Sequence, residues 1–284
     1  MALRRLSFLV LLVASAVAAG CASDEGASSD ASPALTDTLT LETKADSVAH
    51  RLMTAHGADA FASASYLRFN FAFESADGTR VIARHLWDRT TGDYRVEWNR
   101  GPDSAYVALV NIRDVEDDLP AGTVYLNGTE LRGEAAQEAR REAYGRFVND
   151  TYWLLAPLKV FDPGVNRHYR ADSSTADHDV LHLTFDNVGR SPDDEYWFYV
   201  SKETGRLDRW AYHLQSMDSD TAPRAYDWTR DTTLQAPDGP VHLALRKEDV
   251  QANRALLTNE LALPSDPPED AFSAPNPLLA SETE

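Results

Sequence analysis

The sequence predicts an α+β fold that is mostly antiparallel β: an open, curved sheet, or half-barrel, of roughly ten strands wrapped over two or three helices. Short segments of alternating apolar residues recur along most of the chain, punctuated by turn signals such as Asp77-Gly78, Gly101-Pro102, Asn127-Gly128 and Asp238-Gly239. Most intervals between them are too short for the crossover that parallel strands need. Only two stretches carry clear helical spacing. A flat sheet of that many strands is disfavoured, because twist makes wide sheets curl or close.

The elements follow in order. Val48, Leu52, Ala55 and Ala60 fall near helical spacing, with Thr43 or Asp46 able to cap the start and Gly57 stopping the helix near His56. Tyr66 to Glu74 then alternates, with Leu67, Phe69, Phe71 and Phe73 on one face. Strands are predicted at Thr79–Asp88, Asp93–Asn99, Ala105–Arg113 and Thr123–Leu126, and Asn127-Gly128 turns the last into Thr129–Arg132. Glu134 to Asn149 is rich in Ala, Glu and Arg, with no β-branched residue before Val148, and predicts the second helix. An apolar run, Tyr152 to Leu158, meets Pro157, and Asp162-Pro163-Gly164 makes a turn. Further strands are predicted at Val180–Asn187, Glu195–Lys202, Arg206–Met217, Ala225–Leu234, Val241–Val250 and Arg254–Leu263. No shift of composition divides this body, so one domain over 43–276 is expected, with a disordered tail at 277–284.

Composition removes several functions. The chain has 284 residues, 43% of them hydrophobic, enough to bury a full core. Its net charge of −18 argues against a nucleic-acid groove, which needs a cationic face. A single cysteine excludes a disulfide framework and a four-thiolate zinc site.

At the amino terminus, Arg4-Arg5 precede an apolar run from Leu6 to Val17, too short for a stable span of ~20 residues and of the size of a secretory signal core. Ala18-Ala19-Gly20 and then Cys21 follow, an order that resembles the bacterial lipoprotein processing box. The resemblance implies a signal peptide over 1–20, a lipid-modified Cys21 as the first mature residue, and membrane attachment through it. Cys21 is followed by Ala22-Ser23 and not by aspartate, which by the same resemblance implies sorting to the outer membrane, facing the periplasm. Residues 21–42 are small and polar with no apolar period, and read as a flexible tether.

Four features of the body resemble the LolA/LolB-like superfamily of periplasmic lipoprotein-binding proteins. They are Ala55-His56-Gly57 leading through Phe61 into the aromatic strand; Asn149-Asp150-Thr151-Tyr152-Trp153-Leu154-Leu155-Ala156-Pro157 followed by Asp162-Pro163-Gly164; the hairpin of Tyr196-Trp197-Phe198-Tyr199-Val200 with Thr204-Gly205-Arg206-Leu207; and the closing Phe272 to Pro275. The resemblance implies a half-barrel around helices with an apolar cavity for acyl chains, and so a lipid or an acylated lipoprotein as partner. No short motif fixes the alignment, so no individual residue is carried over.

The residues make such a cavity plausible by themselves. Six Trp, 11 Tyr and 10 Phe are concentrated on strand faces, and wide rings leave a trough open where smaller side chains would close it. Phe69, Phe71, Trp87, Trp98, Trp153, Trp197 and Trp210 are the candidate ligand-binding residues. The same rings could instead fill the space between sheet and helices, giving an interaction or envelope-sensing lipoprotein without cargo. No enzyme, cofactor or metal site is expected. There is no Gly-x-Ser-x-Gly elbow or phosphate loop. On a strand, His178 and His182 would lie roughly 13 Å apart, too far to share a metal. The acidic clusters Asp193-Asp194-Glu195 and Asp114 to Asp118 read as solvated loops, and Leu119 as either an apolar loop tip or part of a proline turn.

Overall fold

The computed structural model describes residues 36, 39–186, 191, 193–249 and 251–279. The segments expected to be a signal peptide and a tether, with Cys21, lie outside the described residues except for positions 36 and 39–42, as do residues 280–284. Within the described residues, thirteen strands form one antiparallel sheet in the order β6-β5-β4-β3-β2-β1-β13-β12-β11-β10-β9-β8-β7. The first and last of these are unpaired on their outer sides, so the sheet is open, as predicted.

Helix α1, Lys44–His56, begins with a capping box: Thr43 Oγ1 accepts the Asp46 N–H, and the Asp46 carboxylate accepts the Thr43 N–H. It ends at Gly57, whose φ of 77° is left-handed, and a Cβ there would lie 2.2 Å from the Pro240 carbonyl oxygen. That close approach lets a second, short helix, α2 (Ala58–Ala62), start at once where the sequence predicts only a stop. Strands β1 (Tyr66–Ser75), β2 (Gly78–Asp88), β3 (Asp93–Asn99), β4 (Ala105–Glu116), β5 (Leu119–Leu126) and the two-residue β6 (Thr129–Glu130) form a meander. The β4–β5 turn is Asp117-Asp118, both left-handed, and Leu119 pairs with Glu116 as the first residue of β5, so it is no loop tip.

Helix α3 runs from Gly133 to Leu155, six residues beyond its predicted end. Asn149, Asp150 and Thr151 are poor helix formers, yet the helix continues because Leu154 and Leu155 bury themselves in the core. A 3₁₀ turn at Ala156–Leu158, with Pro157, ends it. The next strand, β7 (Val165–Tyr169), was not predicted: Asn166-Arg167-His168 breaks any apolar alternation. Strands β8 (His178–Phe185), β9 (Glu195–Ser201), β10 (Leu207–His213), β11 (Arg224–Ala236), β12 (Gly239–Asp249) and β13 (Arg254–Ala262) complete the sheet, and β13 returns to pair with β1. Strand β10 stops four residues short of its predicted end, where Met217 N–H donates to the Leu214 carbonyl in a turn.

All three helices lie on the inner face. The larger core joins α1, α2 and the end of α3 to β1 and β8–β12, through residues such as Leu52, Phe69, Leu154, Phe198 and Trp210. A second core seats Ala139 and Ala143 of α3 on Tyr94, Val96, Trp98 and Val124. On the outer face the chain after β13 forms a strap. Arg95, fully buried, donates to Glu97 at 2.6 Å and to the carbonyls of Ala271 and Ala274. Glu97 in turn accepts the N–H groups of Leu278 and Leu279. These bonds fasten the strap to β3 as far as Leu279.

Candidate functional site

The site grows from the last turns of α3. Asp150 faces inward there, 3.2 Å from Nε2 of His85 on β2 and off the angle of a well-formed hydrogen bond. Tyr94 of β3 bonds the other ring nitrogen, and Phe69 stacks on the imidazole with centroids 4.3 Å apart. Burial holds the His85 pKa down, so the ring is neutral and Nδ1 accepts the Tyr94 hydroxyl proton. This polar knot fixes the rotation of α3 above the sheet.

With that rotation set, Tyr152 and Trp153 point toward β9 and β10. Trp153 stacks on Trp210 at 4.5 Å, while Tyr152 and Tyr196 meet the same indole edge-on at 5.5 and 4.9 Å. Closer to β2, Phe147 meets Trp87 edge-on at 5.1 Å. These rings wall a cavity of about 650 Å³ between α3 and the inner face of the sheet, open to solvent on one side. Its size is that of small-molecule sites, ~300–1,000 Å³.

The mouth is polar. Lys159 and Asp162 pair there, and Asp194, Gln215 and Ser216 stand opposite. Asp194 is buried, against the expectation of a solvated acidic loop. It accepts from Ser191 Oγ at 2.6 Å, Tyr196 Oη at 2.9 Å and the Gln215 N–H at 2.8 Å. Burial pushes the Tyr152 and Tyr196 hydroxyls up, and the nearby Asp194 carboxylate adds to both shifts. Both tyrosine hydroxyls of the wall therefore stay uncharged at neutral pH.

Of the seven predicted site rings, Trp87, Trp153 and Trp210 line this cavity. Phe71 lines a second cleft, bordered by Ile82, Arg100 and the stretch of α3 from Glu138 to Asp150. Phe69 and Trp98 are packing residues: Phe69 is covered by His85, and Trp98 by Tyr106 and the Arg146 guanidinium. Trp197 lies on the outer face, stacked on His182 at 4.7 Å, because its neighbours Tyr196 and Phe198 take the inward positions. Sequence reasoning missed Tyr152, Tyr196, Phe147 and Asp194. Trp153 and Trp197 each stood beside the relevant tyrosine, but no pattern distinguished inner from outer. His178 and His182 hold different carboxylates, Asp208 and Glu195, at 2.8 and 2.6 Å.

No protein-family profile matches the chain, and no curated protein sequence matches it. Solved structures do. A DUF1329 family protein from Desulfovibrio piger is similar over 80% of this chain and 96% of its own, at 11% identity and a TM-score of 0.45. A domain described as an outer membrane lipoprotein-sorting protein domain from Vibrio parahaemolyticus is similar over 80% and 94%, at 11% identity and a TM-score of 0.38. MucB is similar over 81% of this chain and 62% of its own, at 14% identity and a TM-score of 0.22. Among the described residues no helix is long and apolar enough to cross a membrane.

Proposed function

We propose that the inner-face cavity holds an acyl chain of a lipid or of an acylated lipoprotein. In this account the protein is a binding protein of the bacterial envelope, moored by lipid on Cys21 at the outer membrane and facing the periplasm, and it serves lipid or lipoprotein trafficking. The observation that carries it is the aromatic wall of Trp87, Phe147, Tyr152, Trp153, Tyr196 and Trp210 around about 650 Å³ of open space. An interior filled by its own rings would have favoured a sensing role without cargo.

Energetics favour hydrocarbon. At ~0.8 kcal/mol per buried methylene, a sixteen-carbon chain gains on the order of 12 kcal/mol gross. Association costs ~4–15 kcal/mol in lost freedom, so partial burial gives moderate, reversible binding suited to a carrier. The charged groups at the mouth already have partners: Lys159 pairs with Asp162, and Asp194 accepts from Ser191, Tyr196 and the Gln215 N–H. That supports binding without a reaction.

Native mass spectrometry of the chain carrying Cys21→Ser, which removes its own lipid attachment, tests the reading. Co-purifying lipid adducts, or adducts formed on adding palmitate, are the expected result. Spectra that stay empty after palmitate is added contradict it.

A further inference from the structure

Strands β10 and β11 are antiparallel neighbours, a pair that about two to five residues suffice to join. Here ten residues, 214–223, separate His213 from Arg224. Leu214 and Met217 pack against the larger core, and the rest of the connection is exposed. Leu214, Gln215 and Ser216 line the aromatic cavity, so this long connection borders its mouth.

One carboxylate ties the connection to the strand beside it. The ladder between β9 and β10 ends at the pair Glu195 and His213, and among the described residues no backbone bond joins the two segments beyond that pair. There the side chain of Asp194 takes over, and its Oδ1 accepts the Gln215 N–H at 2.8 Å. Its Oδ2 accepts the hydroxyls of Ser191 and Tyr196 at 2.6 and 2.9 Å. The Tyr196 ring is itself cavity wall, edge-on to Trp210 at 4.9 Å and tilted against Tyr152 at 5.6 Å. Burying a carboxylate to 4% exposure is costly unless such bonds engage it, and bonds to a charged acceptor are the strong ones. The connection otherwise closes on itself and on the end of β10: Met217 N–H donates to the Leu214 carbonyl and Thr221 N–H to the Asp218 carbonyl, which also faces His213 Nε2 at 3.1 Å.

We propose that the connection 214–223 is a lid on the cavity mouth and that Asp194 is its latch. The latch is closed whether the cavity is empty or filled, and open while an acyl chain passes. Entry and release cross the same open state, so the strength of the latch sets both rates and largely cancels from their ratio, the affinity. This proposal rests on the acyl-binding reading of the cavity and adds the positioning residue that controls passage.

Stopped-flow mixing of the full chain with palmitate, followed by tryptophan fluorescence, tests it together with hydrogen exchange at the Gln215 amide in the empty protein. Asp194→Asn keeps the shape of the latch and removes its charge; Tyr196→Phe keeps the ring and removes one donor. Association and release are both expected to rise, about tenfold in Asp194→Asn and about threefold in Tyr196→Phe, while their ratio moves by less than about threefold. The Gln215 amide is expected to exchange faster in both variants without any palmitate present. Rates unchanged in both variants, a change confined to release, or exchange at Gln215 that neither variant speeds overturns the latch and leaves the acyl reading standing. Absence of a saturable palmitate signal from the unaltered protein overturns the acyl reading, and unmoved exchange at Gln215 then overturns the lid as well.

Discussion

Nε2 of His56, at the end of α1, accepts the backbone N–H of Leu207 on β10 at 3.2 Å. Its Nδ1 faces the carbonyl of His242 on β12 at 2.6 Å, so one neutral imidazole ties the first helix to two strands that are remote in sequence. Burial brings its pKa down to about 4, outweighing the carbonyl contact and the helix C-terminus, both of which favour the cation.

The sign of the resulting pH dependence follows. The unfolded chain takes up this proton near 6.5 and the folded chain only near 4, so the stabilisation is present above pH 6.5 and is lost as pH falls toward 4. The full span is worth ~3 kcal/mol at ~1.4 kcal/mol per unit. His85, also held low by burial, acts in the same direction. Urea unfolding between pH 7.5 and 4.5 should show this decline, and His56→Gln should be less stable at pH 7.5 but shallower in slope.

Gly57→Ala places a methyl 2.2 Å from the Pro240 carbonyl on a backbone at φ 77°. The left-handed conformation alone costs ~1–2 kcal/mol for a residue with a Cβ. The clash adds to it, because Pro240 is backbone and cannot step aside. Thermal unfolding should show a lowered Tm, and an unchanged Tm would mean the α1–α2 corner is free to shift.

Arg95→Met breaks a buried ion pair and leaves Glu97 charged in the interior, at a cost of ~3–5 kcal/mol. It also removes the donors that hold Ala271 and Ala274. Limited proteolysis should then cut within 264–279 well before the rest of the domain, whereas the unaltered protein resists there.

Trp153→Ala removes the ring stacked on Trp210 and one wall of the cavity. The aromatic contact contributes ~0.5–1.5 kcal/mol beyond area, and the half-buried ring adds its burial. Acyl-chain affinity should fall about tenfold, against little change for Trp197→Ala on the outer face. Titration with palmitate, followed by the fluorescence of the remaining tryptophans, measures both.

Local signals made much of the fold legible. Thr43 and Asp46 announced α1, and the Leu67-Phe69-Phe71 alternation announced β1 and its buried face. What stayed hidden depends on distant contacts. The last turns of α3 contain poor helix formers and persist because they pack on strands up to about seventy residues later. The strap at 264–279 has no periodicity and is held by Arg95 and Glu97, some 180 positions earlier. Alternation showed that Trp197 and Phe198 face opposite ways without saying which faces in. The neighbouring cores, and not the local pattern, decide that.

Photolabelling tests the central claim most directly. The full chain is equilibrated with a diazirine-bearing palmitate, irradiated, digested and mapped. Labels are predicted on the α3 peptide carrying Phe147 to Trp153 and on the β10 peptide carrying Trp210 to Gln215, and competition by unlabelled palmitate should remove them. Labels confined to the outer-face peptide around His182, or labels that palmitate does not compete away, would contradict acyl binding between α3 and the sheet.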